Sequence, residues 1–477
     1  MSDFLSFINE ILWGSIVIYL LLGAGIWFTF RTRGIQFRYL RHFGSSLKNS
    51  AASSANGLTA FQALCISLAA RVNGGNIAGV AMAITTGGPG AVFWMWVTAL
   101  IGMATSFAEC SLAQLYKGRD DKGQFRGGPA WYMERGLGMR WMGVLFSLFL
   151  LVAFGLIFNA VQANVLALAV HHTFHLPKPL IGALLALVTL WVILRGIKGV
   201  ARVAQWVMPL TMGAWVLTAV IVMLLNVPRL PDVLMLIIKN AFGWHEAASG
   251  ALAYTVSQAI ASGFQRGLFS NEAGMGSTPN AAAAAVSWPP HPAAQGIAQM
   301  VGVFIDTAIL CTSTAAIVLL SGVLDTDATL QDGVAITQHA LTTLAGSWAS
   351  GYVALIITVF AFTSIVANYV YAENNLLFLM RRTPLRLWLL RAGTLAMVLF
   401  GSLIAWPTVW QLSDIVRALL VITNLTAIML LSPVVKVIAT DYLHQRRLGI
   451  KPVFNPARYP DIKRQLEAGA WELPSRE

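Results

Sequence analysis

A chain of 477 residues, of which 57% are hydrophobic and only 11% charged, cannot cover a soluble globule with a wetted surface; it needs lipid as solvent. Its formal net charge of +12 is spread over short loops between apolar runs and not along one amphipathic face, which excludes a nucleic-acid patch and points to membrane topology. A spanning helix takes roughly 20 apolar residues, so the length goes into many spans and not into several soluble domains.

In chain order the apolar stretches predict about eleven spans, at roughly 12–30, 59–86, 90–117, 141–169, 178–194, 203–226, 251–286, 294–321, 347–380, 392–407 and 414–438. Met1 to Glu10 has no basic n-region and no small-residue cleavage site, so the first stretch reads as a retained span and not a signal peptide. Cys65, Cys110 and Cys311 all fall in apolar segments without ligand-like spacing and read as small core residues.

Every second loop is basic. Arg31, Arg33, Arg38, Arg41 and Lys48 follow the first span, and Lys117, Arg119, Lys122 and Arg126 follow the third. Arg195, Lys198 and Arg202 follow the fifth, Arg381, Arg382, Arg386 and Arg391 the ninth, and Lys436, Arg446, Arg447 and Lys451 the last. The loop after the eighth span carries Asp325, Asp327 and Asp332 instead. Because basic loops stay cytoplasmic, the expected N-terminus is periplasmic and the C-terminus cytoplasmic, in the inner (plasma) membrane of a bacterium. One loop dissents: Ser287 to Gln295 falls on the basic side by parity yet has no Lys or Arg, although its Trp288-Pro289-Pro290-His291-Pro292 run is a clear helix breaker.

Two spans are too rich in glycine and polar residues to be plain lipid-facing helices. One holds Arg71-Val72-Asn73-Gly74-Gly75-Asn76, the other Ser270-Asn271-Glu272-Ala273-Gly274-Met275-Gly276-Ser277, and both are expected to unwind there. Broken backbone at membrane depth survives only where it lines a cavity or is buried in protein. The break then becomes a site: half-helix N-termini offer free N–H groups to a carboxylate, and freed carbonyls can hold Na⁺ or an ammonium group. Gly74 and Gly274 begin two successive groups of five spans, and an odd count inverts the second group relative to the first. The resulting organisation is an N-terminal helix and basic loop over 1–57, a first repeat over 58–226, an external connection over 227–250, a second repeat over 251–440, and a cytoplasmic tail over 441–477.

The run Gly87-Gly88-Pro89-Gly90-Ala91-Val92-Phe93-Trp94-Met95-Trp96 leading to Gly102 resembles the signature of the alanine or glycine:cation symporter family. Arg266-Gly267-Leu268-Phe269-Ser270-Asn271-Glu272-Ala273-Gly274-Met275-Gly276-Ser277 is similar to that family's second long motif. The resemblance implies an all-α polytopic membrane protein with a leucine-transporter-type 5+5 inverted repeat and one extra N-terminal helix. It further implies no cofactor, Na⁺ (H⁺ in some members) as coupling ion, and small neutral amino acids such as alanine, glycine and serine as substrates, carried through lipid by alternating access.

Carried over residue by residue, the resemblance gives the backbone amides of Gly74 and Gly75, flanked by Asn73 and Asn76, to the substrate carboxylate. It gives the carbonyls of Ala69 and Val72 and the hydroxyls of Thr363 and Ser364 to sodium, hard oxygens for a hard cation. Gln162 matches a position whose amide can accept from the substrate ammonium and donate to its carboxylate, while Met275 and Gly276 form the wall against the substrate side chain. Two positions depart from the family pattern. Where relatives read Val-Gly-Ser/Thr-Gly-Asn this chain has Val72-Asn73-Gly74-Gly75-Asn76; Asn tolerates left-handed backbone, so unwinding is expected to survive the exchange. Ala367 stands where many relatives carry a tryptophan, which predicts a roomier pocket.

Blander readings compete at several of these residues. Glu109 reads first as the partner of a buried Arg71 or Arg266 and second as a proton relay, Glu272 and Glu373 as paired or cytoplasm-facing, and Asp306 fits either reading. The sequence has no HExxH pair, GxSxG elbow or Walker A run, which sets aside the commonest enzymes and a primary pump. A channel would show a repeated pore loop, whereas broken helices in each half favour a carrier. A sensor or impaired transporter that keeps the fold, or a proton-coupled carrier, is the remaining alternative.

Overall fold

The structure is a computed structural model and describes residues 2–39, 57–244, 252–326 and 332–471. Arg41, Lys48 and Asp327, counted above for topology, lie outside the described residues. Apart from a two-stranded hairpin, β1 (Gly118–Arg119) with β2 (Phe125–Arg126), the regular structure is helical. Among the described residues, seven helices are long and apolar enough to cross a membrane, beginning with Gly90–Leu115 and ending with Pro407–Leu430, and four shorter apolar helices accompany them.

The elements that matter below are α1 (Ile18–Arg31), α2 (Ala60–Arg71), α3 (Ala78–Gly87), α4 (Gly90–Leu115), α5 (Phe158–Phe174), α6 (Lys178–Ile193) and α7 (Gly196–Leu225). In the second half they are α8 (Leu252–Asn271), α9 (Pro279–Ala284), α10 (Pro292–Val303), α11 (Trp348–Leu379), α12 (Pro384–Leu403), α13 (Trp406–Leu430) and α14 (Ser432–Arg447). The stretch expected over 59–86 is thus two helices, and so is the one over 251–286, each parted at its glycine-rich segment. Short halves of this kind leave backbone groups open mid-molecule, and that is what positions the site. The tenth stretch, expected from 392, starts earlier, at Pro384, because Thr383 caps it by accepting from the Arg386 amide.

The segment after Asp441, for which sequence gave no role, is a strap. Gln445 closes its turn onto Val453 with two hydrogen bonds of 3.0 and 2.8 Å, and the Phe454 amide donates to the Pro290 carbonyl at 2.9 Å. Farther along, Glu467 accepts from the Arg119 amide at 2.9 Å and pairs with Arg135, while Trp471 donates to the Leu115 carbonyl at 3.0 Å. Lys117, at the end of α4, has its ammonium 4.1 Å from the centre of Phe125 and 4.8 Å from that of Trp471. The strap also reaches the dissenting loop, where Lys451 places its ammonium 3.0 Å over Trp288.

His291 joins loop and strap. Its Nδ1 accepts from the Ala293 amide at 3.1 Å, capping α10, and its Nε2 meets Asp441 at 3.2 Å. A neutral imidazole with its proton on Nε2 satisfies both contacts; a second proton on Nδ1 would evict the cap. Burial lowers the His291 pKa below its ordinary value, against the upward pull of Asp441. A depressed histidine favours the folded arrangement above its unfolded pKa and loses that contribution as pH falls below it. Amide exchange of residues 451–471, corrected for intrinsic rate, is therefore expected to quicken between pH 7.5 and pH 5.5, and His291→Asn, which caps without titrating, to flatten that response. Equal protection at both pH values in the unsubstituted chain would refute the link.

Candidate functional site

The first break starts with a helix that is capped properly and then runs out of partners. Thr59 and Gln62 form a reciprocal cap at the start of α2, but at the other end Val72 turns to φ −76°, ψ 93°, and a single 3-10 turn, Gly74–Asn76, precedes α3. Asn73 is extended, at φ −137° and ψ −172°, and not left-handed as its residue type suggested. Its value lies in the side chain. Asn73 Oδ1 accepts from the Gly75 amide at 2.6 Å, Nδ2 donates to the Ala70 carbonyl at 3.0 Å, and Asn76 Oδ1 accepts from the Asn73 amide at 2.9 Å. The Gly74 amide donates to Gln162 Oε1 on α5 at 2.9 Å.

Both glycines are demanded by close approach. A Cβ on Gly74 would lie 2.7 Å from Val165 Cγ1, and one on Gly75 would run into the ring of Phe269. The hydroxyl residue of the family pattern therefore has no room at position 74 in this packing. The two amides expected to face a carboxylate are engaged by Gln162 and Asn73, both neutral acceptors that an anion can displace.

The second break takes its geometry from left-handed residues: Glu272 at φ 54°, Gly274 at φ 84° and Gly276 at φ 82°. Its amides meet a resident carboxylate. Glu109 of α4, fully buried, accepts from Gly274 and Gly276, each at 3.1 Å, and from Asn424 Nδ2 of α13 at 2.8 Å. Asn424 also donates to the Gly274 carbonyl at 2.9 Å and bonds Tyr132. This differs from the expected ion pair. Arg71 is spent on Thr278 at 3.1 Å, the Gln299 carbonyl at 3.0 Å and Ser106 at 3.3 Å, and Arg266 faces Asp414 at 3.5 Å. Backbone amides hold Glu109 instead, because the left-handed glycines on either side of Met275 turn their N–H groups the same way.

A second buried acid links the breaks. Asp306 accepts from Asn76 Nδ2 at 2.6 Å and Thr307 at 3.0 Å and also bonds Ser270, so residues 76 and 270 share one carboxylate. Glu272 accepts from Ser277 at 2.6 Å. Glu373 stands 3.9 Å from Arg126.

Between the breaks lies a cavity of about 10 Å³, room for about one water molecule. Asn73, Gln162, Met275 and Ser364, all marked by sequence, line it. Gly74 and Gly75 back it through their bonds to Gln162 and Asn73, whereas Asn76 turns to Asp306, Gly276 to Glu109, and Ala367 packs in the apolar core. Of the sodium set, Ser364 reaches the first break, donating to the Ala70 carbonyl at 3.3 Å, one residue from Ala69. Thr363 bonds carbonyls of its own helix, Val359 at 2.8 Å and Phe360 at 3.1 Å, and the Val72 amide continues α2 to Leu68.

Glu272 also lines the cavity, and sequence reasoning missed the rest of the wall: Ala70, Phe158, Phe269, Asn368 and Arg417. Arg417 is fully buried, 2.9 Å from Asp414, 2.7 Å from Ser413 Oγ and 4.2 Å over Phe269. Its Nε has no hydrogen-bond partner among the described residues. The signal was present, an Asp and an Arg three residues apart inside an apolar run.

A model of the sodium:alanine symporter family matches residues 1–456 of the chain. The chain belongs to that family. The symporter is 61% identical over 477 residues to the uncharacterized transporter YaaJ of Escherichia coli, covering 100% of both chains. It is 46% identical to the probable sodium/glutamine symporter GlnT of Bacillus subtilis, over 95% of this chain and 92% of the relative. It is also 36% identical to the sodium/alanine symporter AgcS of Methanococcus maripaludis, over 91% of this chain and 96% of the relative. The protein is a multi-pass membrane carrier of the amino-acid symporter type and not an enzyme.

Two outcomes are expected from these contacts. Glu109→Ala strands three buried donors, at about 1–3 kcal/mol each, and should lower the melting temperature sharply in detergent. Arg417→Gln and Asp414→Asn should each destabilise by about 3–5 kcal/mol, since each leaves a buried charge, while the double variant costs less than the sum; additive losses would deny the coupling.

Proposed function

We propose that the symporter imports a small neutral amino acid, alanine, glycine or serine, together with Na⁺ by alternating access. The observation that carries the reading is the cavity between the two helix breaks, walled by Gln162, Asn73 and Ser364 on polar sides and by Met275, Phe158 and Phe269 on apolar ones. A zwitterion needs donors for its carboxylate, acceptors for its ammonium and an apolar face for its side chain. The Gly74 and Gly75 amides supply the first once Gln162 and Asn73 turn aside, and Gln162 Oε1, freed by that movement, supplies the second. Sodium takes the carbonyls of Ala69 and Val72 with the hydroxyls of Thr363 and Ser364, the last already against this segment. The rings must part for a substrate to enter, which makes opening and binding one event.

The architecture that serves this is about eleven spans in two inverted five-helix groups after an N-terminal helix, with the N-terminus periplasmic and the C-terminus cytoplasmic in a bacterial inner membrane. It is supported by the alternation of basic loops and by a break at the head of each half. Na⁺ at the first break pre-orders the amides there, so each ligand raises the affinity of the other. The relative named for glutamine makes side-chain length the open dimension of specificity, and Phe158 and Phe269 favour the short end.

Uptake of labelled alanine into proteoliposomes tests the reading. Accumulation is expected with an inward Na⁺ gradient and not with a proton gradient alone, with unlabelled glycine and serine competing better than glutamine. Accumulation that ignores sodium, or none at all, defeats it. Ser364→Ala should raise the sodium concentration for half-maximal uptake about tenfold, the equivalent of ~1.4 kcal/mol. Gln162→Ala should instead weaken alanine affinity, moving the sodium response only through linkage; an unaltered sodium response in both Ser364→Ala and Thr363→Ala would remove those hydroxyls from the ion site.

A further inference from the structure

Well away from the cavity, on the face that carries the tail strap, a concavity of about 210 Å³ gathers Lys122, Arg126, Arg195, Lys198, Arg382 and Arg391 around a single carboxylate, Glu373. They come from four separate elements: the β1–β2 hairpin, the turn into α7, the segment before α12, and α12 itself. Arg126 is neutralised by Asp120 at 3.1 Å and Glu373 at 3.9 Å. The other five cations have no carboxylate within 4.0 Å among the described residues.

Loop cations that only set topology can spread into water, where repulsion is screened. Here they are folded into one hollow, which costs Coulomb energy unless an anion joins them. The hollow also borders exposed apolar side chains. Trp191, at the end of α6, is 57% exposed and lies under Arg195, whose guanidinium is 3.8 Å from the ring centre. Trp388, on α12, is 50% exposed and lies 5.2 Å from Arg391. Leu194 and Leu389 are likewise exposed beside them. Two exposed tryptophans, each stacked by an arginine that lines the hollow, flank a recess that is cationic inside and apolar at its edge.

We propose that this hollow binds the phosphate headgroup of an anionic phospholipid, with the acyl chains lying along the apolar faces of α6 and α12. Guanidinium groups match phosphate oxygens, and a basic recess between spanning helices is where such headgroups are held. A free phosphate would use the cations and leave Trp191, Leu194 and Trp388 without purpose. The lipid would tie the turn at Arg195–Lys198 to α12 and the hairpin, elements that share no other anion.

The test uses the full chain, delipidated in detergent and titrated with phosphatidylglycerol or phosphatidylcholine, with bound lipids counted by native mass spectrometry. The unsubstituted protein is expected to retain one phosphatidylglycerol at least tenfold more tightly than phosphatidylcholine. The double variant Arg195→Gln with Lys198→Gln should lose that preference, while the charge-preserving pair Arg195→Lys with Lys198→Arg and the remote Arg458→Gln keep it. A melting curve matching the unsubstituted protein establishes that the double variant is folded; if it is not, Arg382→Gln takes its place. Equal retention of the two lipids, or an undiminished preference in the neutralised variants, overturns the proposal. So does displacement of phosphatidylglycerol by millimolar inorganic phosphate, which would mark a site for a soluble anion.

Discussion

Backbone groups freed inside an apolar molecule must find partners, and the rest of this structure is arranged around that demand. An unmet N–H or C=O in hydrocarbon costs several kcal/mol, so a helix stops at membrane depth only where side chains close its open ends. At the first break the closure is local and neutral: Asn73 and Asn76 cap one another's backbone, and Gln162 reaches in from α5. At the second it is distant and charged, with Glu109 across from α4 and Asn424 from α13. The docking of α5 on the first break and of α4 on the second thus follows from hydrogen bonding as much as from apolar packing.

The same rule governs the buried charges. Arg71 is held by two hydroxyls and a carbonyl, Asp306 by hydroxyls and an amide, and Glu109 by backbone donors. Beside the cavity, by contrast, charge meets charge directly, with Arg417 and Arg266 both facing Asp414. Dispersed polar neutralisation lets an acid stay buried without a fixed cation at its side. Many of the positive charges that composition announced lie instead on the face of the strap and hairpin.

Much of this was legible in the sequence because it is written in composition and local rhythm. Apolar stretches gave the helices, and glycine and asparagine clusters at 73–76 and 271–277 gave the interruptions. What sequence could not give was who closes them, since Gln162 for Gly74 and Glu109 for Gly274 are pairings across the fold and no periodicity encodes them. Asn73 shows the limit well: residue type suggested left-handed backbone, while its side-chain geometry selected an extended one. Ala367 erred in the other direction, for a lost tryptophan does not enlarge a pocket that Phe158 and Phe269 close from elsewhere. The strap was out of reach for the same reason, being held by contacts to residues 115–135 and 288–291 and not by any pattern of its own.

The difference in closure between the two breaks bears on how such a carrier moves. A carboxylate held by three donors, two in the break and one on α13, is costly to pull out, since leaving strands both the charge and the donors. An amide held by a neutral glutamine is cheap to release to a substrate carboxylate, because a charged acceptor makes the stronger bond. On the proposed mechanism the second break is then a fixed corner and the first the adaptable one, where Gln162 exchanges Gly74 for the ligand. Asp306, bonded to both Asn76 and Ser270, ties the adaptable corner to the fixed one. A ligand-driven rearrangement at residues 73–76 is consequently felt at α8 through a single buried carboxylate, and it needs no long chain of intermediates to reach the other half of the molecule.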